Sequence, residues 1–274
     1  MIKHNNQEYK VVVVTPAGRE EYLLILRKYI EREMNKGIID GWQLWQNTDI
    51  QSDIDYMEKI SLENSKIGIR KIHNGKYDPF KINSFFVFAQ ESDTIYLRLD
   101  DDIVFIEDNA IENLLKCRID NSNAFIVCAN IVNNTILNCV HQEIGALSEE
   151  AGKCSPIKLD SLGISDNKFA ETVHLSFIVK KNNGTISEYI FKDKLLSKYE
   201  EFSVNCFAFW GRDKLIPPPD EETAISSSIP ASFSRPNIIC GNALVVHFAY
   251  HTQREFLNTK PYYYNYYLGE SKKI

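Results

Sequence analysis

Basic residues are in short supply here: 31 Lys and Arg stand against 37 Asp and Glu, a formal net charge of −6. The corresponding pI of about 5.6 argues against a nucleic-acid partner, which usually meets a basic surface. No apolar run is long enough to cross a bilayer, and no charged, apolar and small-residue leader pattern follows Met1. The sequence holds 6 cysteines, with no Cys-x-x-Cys pair among them, which removes the zinc knuckle and the dithiol redox motif. Cys117, Cys128, Cys139, Cys154, Cys206 and Cys240 are expected as reduced, mostly buried thiols of a cytoplasmic protein. Glycine and proline form no low-complexity linker, and no internal repeat is visible.

What is present is enough for a sizeable core. At 274 residues and 44% hydrophobic, the chain allows one large α/β domain or two small ones. Val11-Val12-Val13-Val14 is the β-branched run of a strand buried on both faces. Thr15-Pro16-Ala17-Gly18-Arg19 breaks it, and Leu23, Leu26, Ile30 and Met34 then follow helical spacing. The loop reads either as an ordinary tight βα turn or as a place where a ligand approaches the backbone at a helix N-terminus. Gly41 to Thr48 predicts a second strand ending in polar Asn47 and Thr48. Asp53, Asp55, Tyr56 and Ile60 suit a short helix, and Ile67 to His73 a third strand with Arg70 near its end. Asn83 to Ala89 predicts a helix packing its aromatics into the core.

The most informative stretch is Tyr96-Leu97-Arg98-Leu99-Asp100-Asp101-Asp102-Ile103-Val104-Phe105. An apolar strand ends in three adjacent carboxylates, and apolar character resumes at once. Like charges held together at a strand end repel by more than surface pairing returns, so a cation is expected there, and a divalent ion with oxygen ligands is the simplest. A solvated acidic turn is the bland alternative. Strand carboxyl ends are also where open α/β sheets bind ligands. A helix over Leu114 and Leu115 with an acidic first turn, then a buried strand over Ala124 to Val132, complete a regular β/α alternation. Asn133 to Asp166 reads as a long lid or binding loop. Later come Phe207-Ala208-Phe209-Trp210-Gly211, the rigid Pro217-Pro218-Pro219, Asp220-Glu221-Glu222, a strand over Asn242 to Ala249 carrying His247, and a terminal aromatic helix at Tyr262 to Leu268.

The Gly-containing first loop, the triple Asp, the later Asp-Glu-Glu and the late strand His together resemble a nucleotide-sugar-dependent glycosyltransferase of the GT-A fold. The resemblance runs from about Val11 to His251 and is strongest at Tyr96 to Asp102, which looks like that family's hydrophobic strand and Asp-x-Asp. Arg235-Pro236-Asn237 through His247 to Gln253 adds to it. It implies a single α/β domain with a mostly parallel, Rossmann-related sheet, a nucleotide-sugar half over about 9–132 and an acceptor half over about 133–274. It implies Mn²⁺ or Mg²⁺ held by Asp102, with Asp100 and His247 as further ligands, and Asp100 or Asp101 reaching the ribose or donor sugar. His251 is the alternative to His247, which could also be a core histidine. Thr15, Pro16, Gly18, Arg19, Asn47, Thr48 and Arg70 would line the nucleotide site, with Asp53 and Asp55 as further candidates for the same pocket. Arg98 would pair with the acids or with buried backbone.

The implied activity is transfer of a sugar from a nucleoside-diphosphate sugar to a glycan or other hydroxyl acceptor. In an inverting enzyme Glu222, Glu221 or Asp220 would be the general base; Asp213 is an outsider, and these acids could instead only cap a helix. Inverting and retaining members share the metal motif. Two other readings stay open. Asp100-x-Asp102-x-Val104 also fits a haloacid-dehalogenase-type phosphatase nucleophile, and a catalytically silent nucleotide- or glycan-binding module would carry the same strand end.

Overall fold

The computed structural model describes residues 1–72, 78–157, 160–196, 201–219 and 221–274. The chain opens with a hairpin of β1 (Ile2–His4) and β2 (Gln7–Ala17). Asn5 and Asn6 turn it with φ of 49° and 62°, the paired positive values that suit a two-residue hairpin. α1 (Glu20–Asn35), β3 (Gly41–Gln46), α2 (Gln51–Glu63) and β4 (Ile67–Arg70) follow. The third strand thus stops at Arg70, and His73 lies outside the described residues. A 3-10 segment over Pro79–Phe88, broken at Lys81, replaces the expected α-helix and still delivers its aromatics, Phe85 stacking on Trp45 at 5.6 Å.

Then come β5 (Thr94–Leu99), β6 (Ile103–Ile106), α3 (Ala110–Asp120) and β7 (Val127–Val132). The stretch read as a long loop is instead partly helical, with α4 (Thr135–Glu143) and α5 (Ser161–Ser165). Asn134 and Asp160 start these helices by accepting from Leu137 N and Gly163 N, the work of short polar side chains at an N-cap. α6 (Asn167–Asn182), β8 (Lys194–Leu196), β9 (Cys206–Trp210), α7 (Ser228–Ser232), β10 (Asn237–His247), α8 (His251–Asn258) and α9 (Pro261–Ser271) complete the described strands and α-helices.

Among the described residues one sheet runs in the order β4-β3-β2-β5-β9-β7-β10-β6, with β1 on β2 and β8 on β10. β4, β3, β2 and β5 are parallel neighbours, β9 lies antiparallel between β5 and β7, β10 is parallel to β7, and β6 runs antiparallel on β10. It is a mostly parallel α/β sheet with helices packed on it.

The sheet must curl, and the reason lies at the acids. β5 and β6 stand four strand positions apart, about 19 Å across a flat sheet. Leu99 and Ile103 are four residue steps apart, at most about 14 Å at full extension. The chain can make that crossing only if the sheet bends the two strands together. β10 provides the bend: its pairing with β7 slips between Cys240 and Leu244. Buried Asn130 fastens the irregularity by donating to Gly241 O at 2.9 Å and Tyr189 O at 2.8 Å. Asp100 to Asp102 therefore span the mouth of the curl, pinned by Asp100 N donating to Asn205 O and Phe248 N donating to Asp102 O, both at 2.9 Å.

Candidate functional site

A cleft of about 500 Å³ opens where β2, β3 and β5 end, the place where α/β sheets present ligand sites. Pro16, Gly18, Arg19, Asn47, Thr48, Arg98, Asp100, Asp101, Glu222 and His251 line it, joined by Asp49, Ile50, Ile82 and Arg254. The first and second βα loops are pressed together here: Asn47 N donates to Ala17 O at 2.8 Å, and a Cβ on Gly18 would stand 2.7 Å from Asn47 O. Gly18 is needed for that approach rather than for its dihedrals.

The three acids have three different settings. Asp100 accepts from Arg98 Nη2 at 2.9 Å and from Asn205 Nδ2 at 3.0 Å. Burial pushes its carboxyl up to about 6, against the pull of Arg98. Asp101 is buried and accepts from Gly18 N at 3.0 Å and from Arg19 Nε at 3.1 Å. Burial raises its carboxyl too, with Arg19 opposing. Asp102 is buried beneath them, with Arg254 Nη2 and Arg19 Nη1 each 3.1 Å from Oδ2. Burial would raise its carboxyl, but Arg19, then His247 and Arg254, hold it well below the usual carboxylate range. The positive charge demanded by the triple Asp is thus partly supplied by arginines remote in sequence.

One pair of atoms is left without a partner of the right kind. Asp102 Oδ1 has no hydrogen-bond partner, and it faces His247 Nε2 at 3.6 Å. The other ring nitrogen, Nδ1, is 3.0 Å from Asn133 O. A carbonyl can only accept, so Nδ1 carries the hydrogen. In the neutral ring Nε2 then turns a lone pair toward a carboxylate oxygen. Only a proton or a cation between them relieves that. Accordingly the imidazole is held above its ordinary value: burial lowers it, but the Asp102 charge together with hydrogen bonding to Asp102 and the Asn133 carbonyl outweighs burial. The separation is too long for a good hydrogen bond and short enough for both atoms to reach one ion. A backbone carbonyl on the far nitrogen is how ligating histidines are commonly fixed. The residues present therefore fit a divalent ion, with two protein donors, Asp102 and His247. Asp100 and Asp101 turn their oxygens to Arg98, Asn205, Arg19 and Gly18 instead.

The remaining sequence candidates fall in several places. Thr15 is buried and accepts from Trp42 Nε1 at 2.9 Å, facing the sheet rather than the cleft. Asp53 is structural: it accepts from Glu20 N at 2.9 Å, holding the start of α1, and from Thr48 Oγ1 at 3.1 Å. Asp55 is exposed and bonded to Gln51. Arg70 is not part of the cleft lining and lies over the Phe88 ring at 5.9 Å. Asp213 pairs with Arg235 at 2.7 Å. Glu222 lines the cleft and shares Arg98 with Asp100. Glu221 is exposed and outside the lining, and Asp220 lies outside the described residues.

Sequence reasoning missed Arg254. Its signal was spacing: His251 and Arg254 are three apart on α8 and so share a face, and both reach the cleft. No family model matches the chain. No curated protein matches it either.

Proposed function

We propose that this protein is a metal-dependent glycosyltransferase of GT-A architecture that moves a sugar from a nucleoside-diphosphate sugar to a hydroxyl acceptor. The observation that carries the reading is the facing pair Asp102 Oδ1 and His247 Nε2 below a cleft at the strand ends. Arg19 and Arg254, both at the cleft, suit the two phosphates of the donor. Asp102 and His247 would hold Mn²⁺ or Mg²⁺, and an imidazole favours Mn²⁺. When bound, the metal neutralises the charge that builds on the departing diphosphate. Asn47, Thr48 and the Gly18 backbone take the nucleoside side of the cleft.

Glu222 is the acid of the Asp-Glu-Glu segment that meets the cleft among the described residues. It takes the proton of the acceptor hydroxyl as that oxygen attacks the anomeric carbon, and the nucleoside diphosphate leaves. Arg98 orients it from below, tying base and strand-end acid into one unit. Against the phosphatase reading, Arg98 and Asn205 each hold one oxygen of Asp100, the nucleophile that reading requires.

The test is thermal stability with nucleoside diphosphates and nucleotide sugars, with and without Mn²⁺. A ligand at a hundred times its dissociation constant stabilises by about 2.7 kcal/mol. Stabilisation that needs Mn²⁺ and disappears in Asp102→Ala is expected, with slow hydrolysis of the matching donor. Equal stabilisation in chelator would remove the metal role, and binding with no hydrolysis or transfer would leave a silent binding module.

A further inference from the structure

A second cluster of metal-ligating side chains stands apart from the cleft lining. Cys117 on α3, Cys240 on β10 and Asp193 just before β8 bring one ligand atom each within 4.8 Å of one another. Cys117 and Cys240 are buried, and Asp193 closes the cluster from the surface. Cys117 Sγ lies 3.4 Å from Asp193 Oδ2, about the separation of S and O ligands around a tetrahedral zinc. Asp193 is aimed rather than loose: its Oδ1 accepts from Gly241 N at 2.9 Å, which leaves Oδ2 toward the sulfurs. Gly241 is where its segment meets β10, because a Cβ there would stand 2.1 Å from Phe191 O. Asn242 Oδ1 accepts from Cys240 Sγ at 3.1 Å, which puts a further oxygen beside that sulfur. Asn121 Nδ2 points at Cys117 Sγ from 3.5 Å, the outer N–H contact that steadies a thiolate.

From this geometry we infer that Cys117, Cys240 and Asp193 form a zinc site, with Asn242 or water in the fourth position. Two thiolates select a borderline-soft ion, so this site takes Zn²⁺ in preference to the Mg²⁺ or Mn²⁺ of the cleft. Binding exchanges the two thiol protons for the ion, and the dipositive metal with two thiolates and one carboxylate leaves a single negative charge at the surface. Neither cysteine changes oxidation state. The ion ties α3 to the irregular middle of β10 and to the segment that leads into β8. In sequence the site is hidden, because its cysteines are far apart and form no Cys-x-x-Cys.

Cobalt(II) added to the reduced, metal-stripped full chain tests this, because tetrahedral thiolate sites show sulfur-to-cobalt absorption that an oxygen and nitrogen site lacks. About one Co²⁺ per chain should develop that absorption and be displaced by Zn²⁺, with proton release on binding. The signal should persist in Asp102→Ala, which separates it from the cleft. Cys117→Ser with Cys240→Ser should abolish it. Asp193→Asn, a surface change that spares the fold, should weaken Co²⁺ binding by about tenfold or more. No thiolate absorption in the reduced chain, or absorption that survives the double serine change, overturns the assignment. So does Asp193→Asn binding as tightly as the parent.

Discussion

At the scale of single residues, His247 separates a metal ligand from a core histidine. Its imidazole is held above its ordinary value. A base raised in the folded state contributes stability that is fully present below its unfolded value of about 6.5 and is lost as pH rises through the folded value. His247→Gln should therefore cost the metal-free protein more at about pH 6 than at about pH 9. Metal competes with that proton, so nucleotide-linked Mn²⁺ stabilisation of the parent should grow over the same rise in pH and be absent from the variant. A variant that loses apo stability equally at both pH values and keeps its Mn²⁺ response would make His247 a core residue. Glu222 sorts chemistry from binding. Glu222→Gln keeps the shape of the side chain but not its basicity, so donor binding should be near normal while transfer falls by about 10²–10⁴-fold. Glu221→Gln, outside the cleft lining, should transfer normally. Full activity in Glu222→Gln would point to a retaining mechanism.

At the scale of elements, the site depends on two βα loops that touch. Gly18→Ala places a carbon 2.7 Å from Asn47 O, and a backbone carbonyl cannot swing aside as a flexible side chain would. Overpacking of this kind costs about 1–3 kcal/mol. The loop should move, loosening the Gly18 N bond to Asp101 and weakening nucleotide binding. Gly68→Ala on β4 is the control, because nothing lies within 4 Å of its added carbon. Denaturant midpoints and nucleotide titrations on both variants check this; equal behaviour would show that the contact tolerates a methyl group. The same scale explains the partly helical stretch read as a loop. Asn134 and Asp160 each start a helix with a side-chain cap, and a single Asn or Asp in a polar run does not announce itself as a cap.

At the scale of the whole molecule, two buried histidines tie distant parts of the fold together. His141 is pushed down to about 3 by burial. His174 is pushed down to about 4, burial again leading and the Phe248 carbonyl opposing. His174 Nε2 lies 2.8 Å from Phe248 O, so that nitrogen carries the hydrogen and Nδ1 accepts from Tyr267 Oη at 2.8 Å. The ring thereby docks α9 against the end of β10. A base depressed in the folded state contributes stability that is present above its unfolded value and lost as pH falls toward the folded one. Asp100, with its carboxyl raised to about 6, and His247 act in the opposite direction, so the expectation is a difference between proteins. Taking the pH from about 7.5 to about 5 should lower the urea midpoint of the parent more than that of a His141→Gln, His174→Gln double variant. An equal response in the two would show that neither ring resists protonation.

Local order determined much of this protein. A β-branched run buried on both faces, helical spacing from Leu23 to Met34, and an apolar strand cut off by three carboxylates specify strand, helix and strand end without distant help. The aromatic C-terminal helix was legible for the same reason. Tertiary structure decided the partners. The sequence shows three Asp residues that need positive charge; it does not show that Arg19 from the first loop and Arg254 from α8 reach them. It shows His247 on an apolar strand, but only the bend in β10 and the three-residue crossing from β5 to β6 set its Nε2 against Asp102. Cys117 and Cys240 meet because α3 packs on β10. Periodicity reports which face of an element is buried. Which charges meet depends on loop closure between segments far apart in the chain, and no local pattern records that.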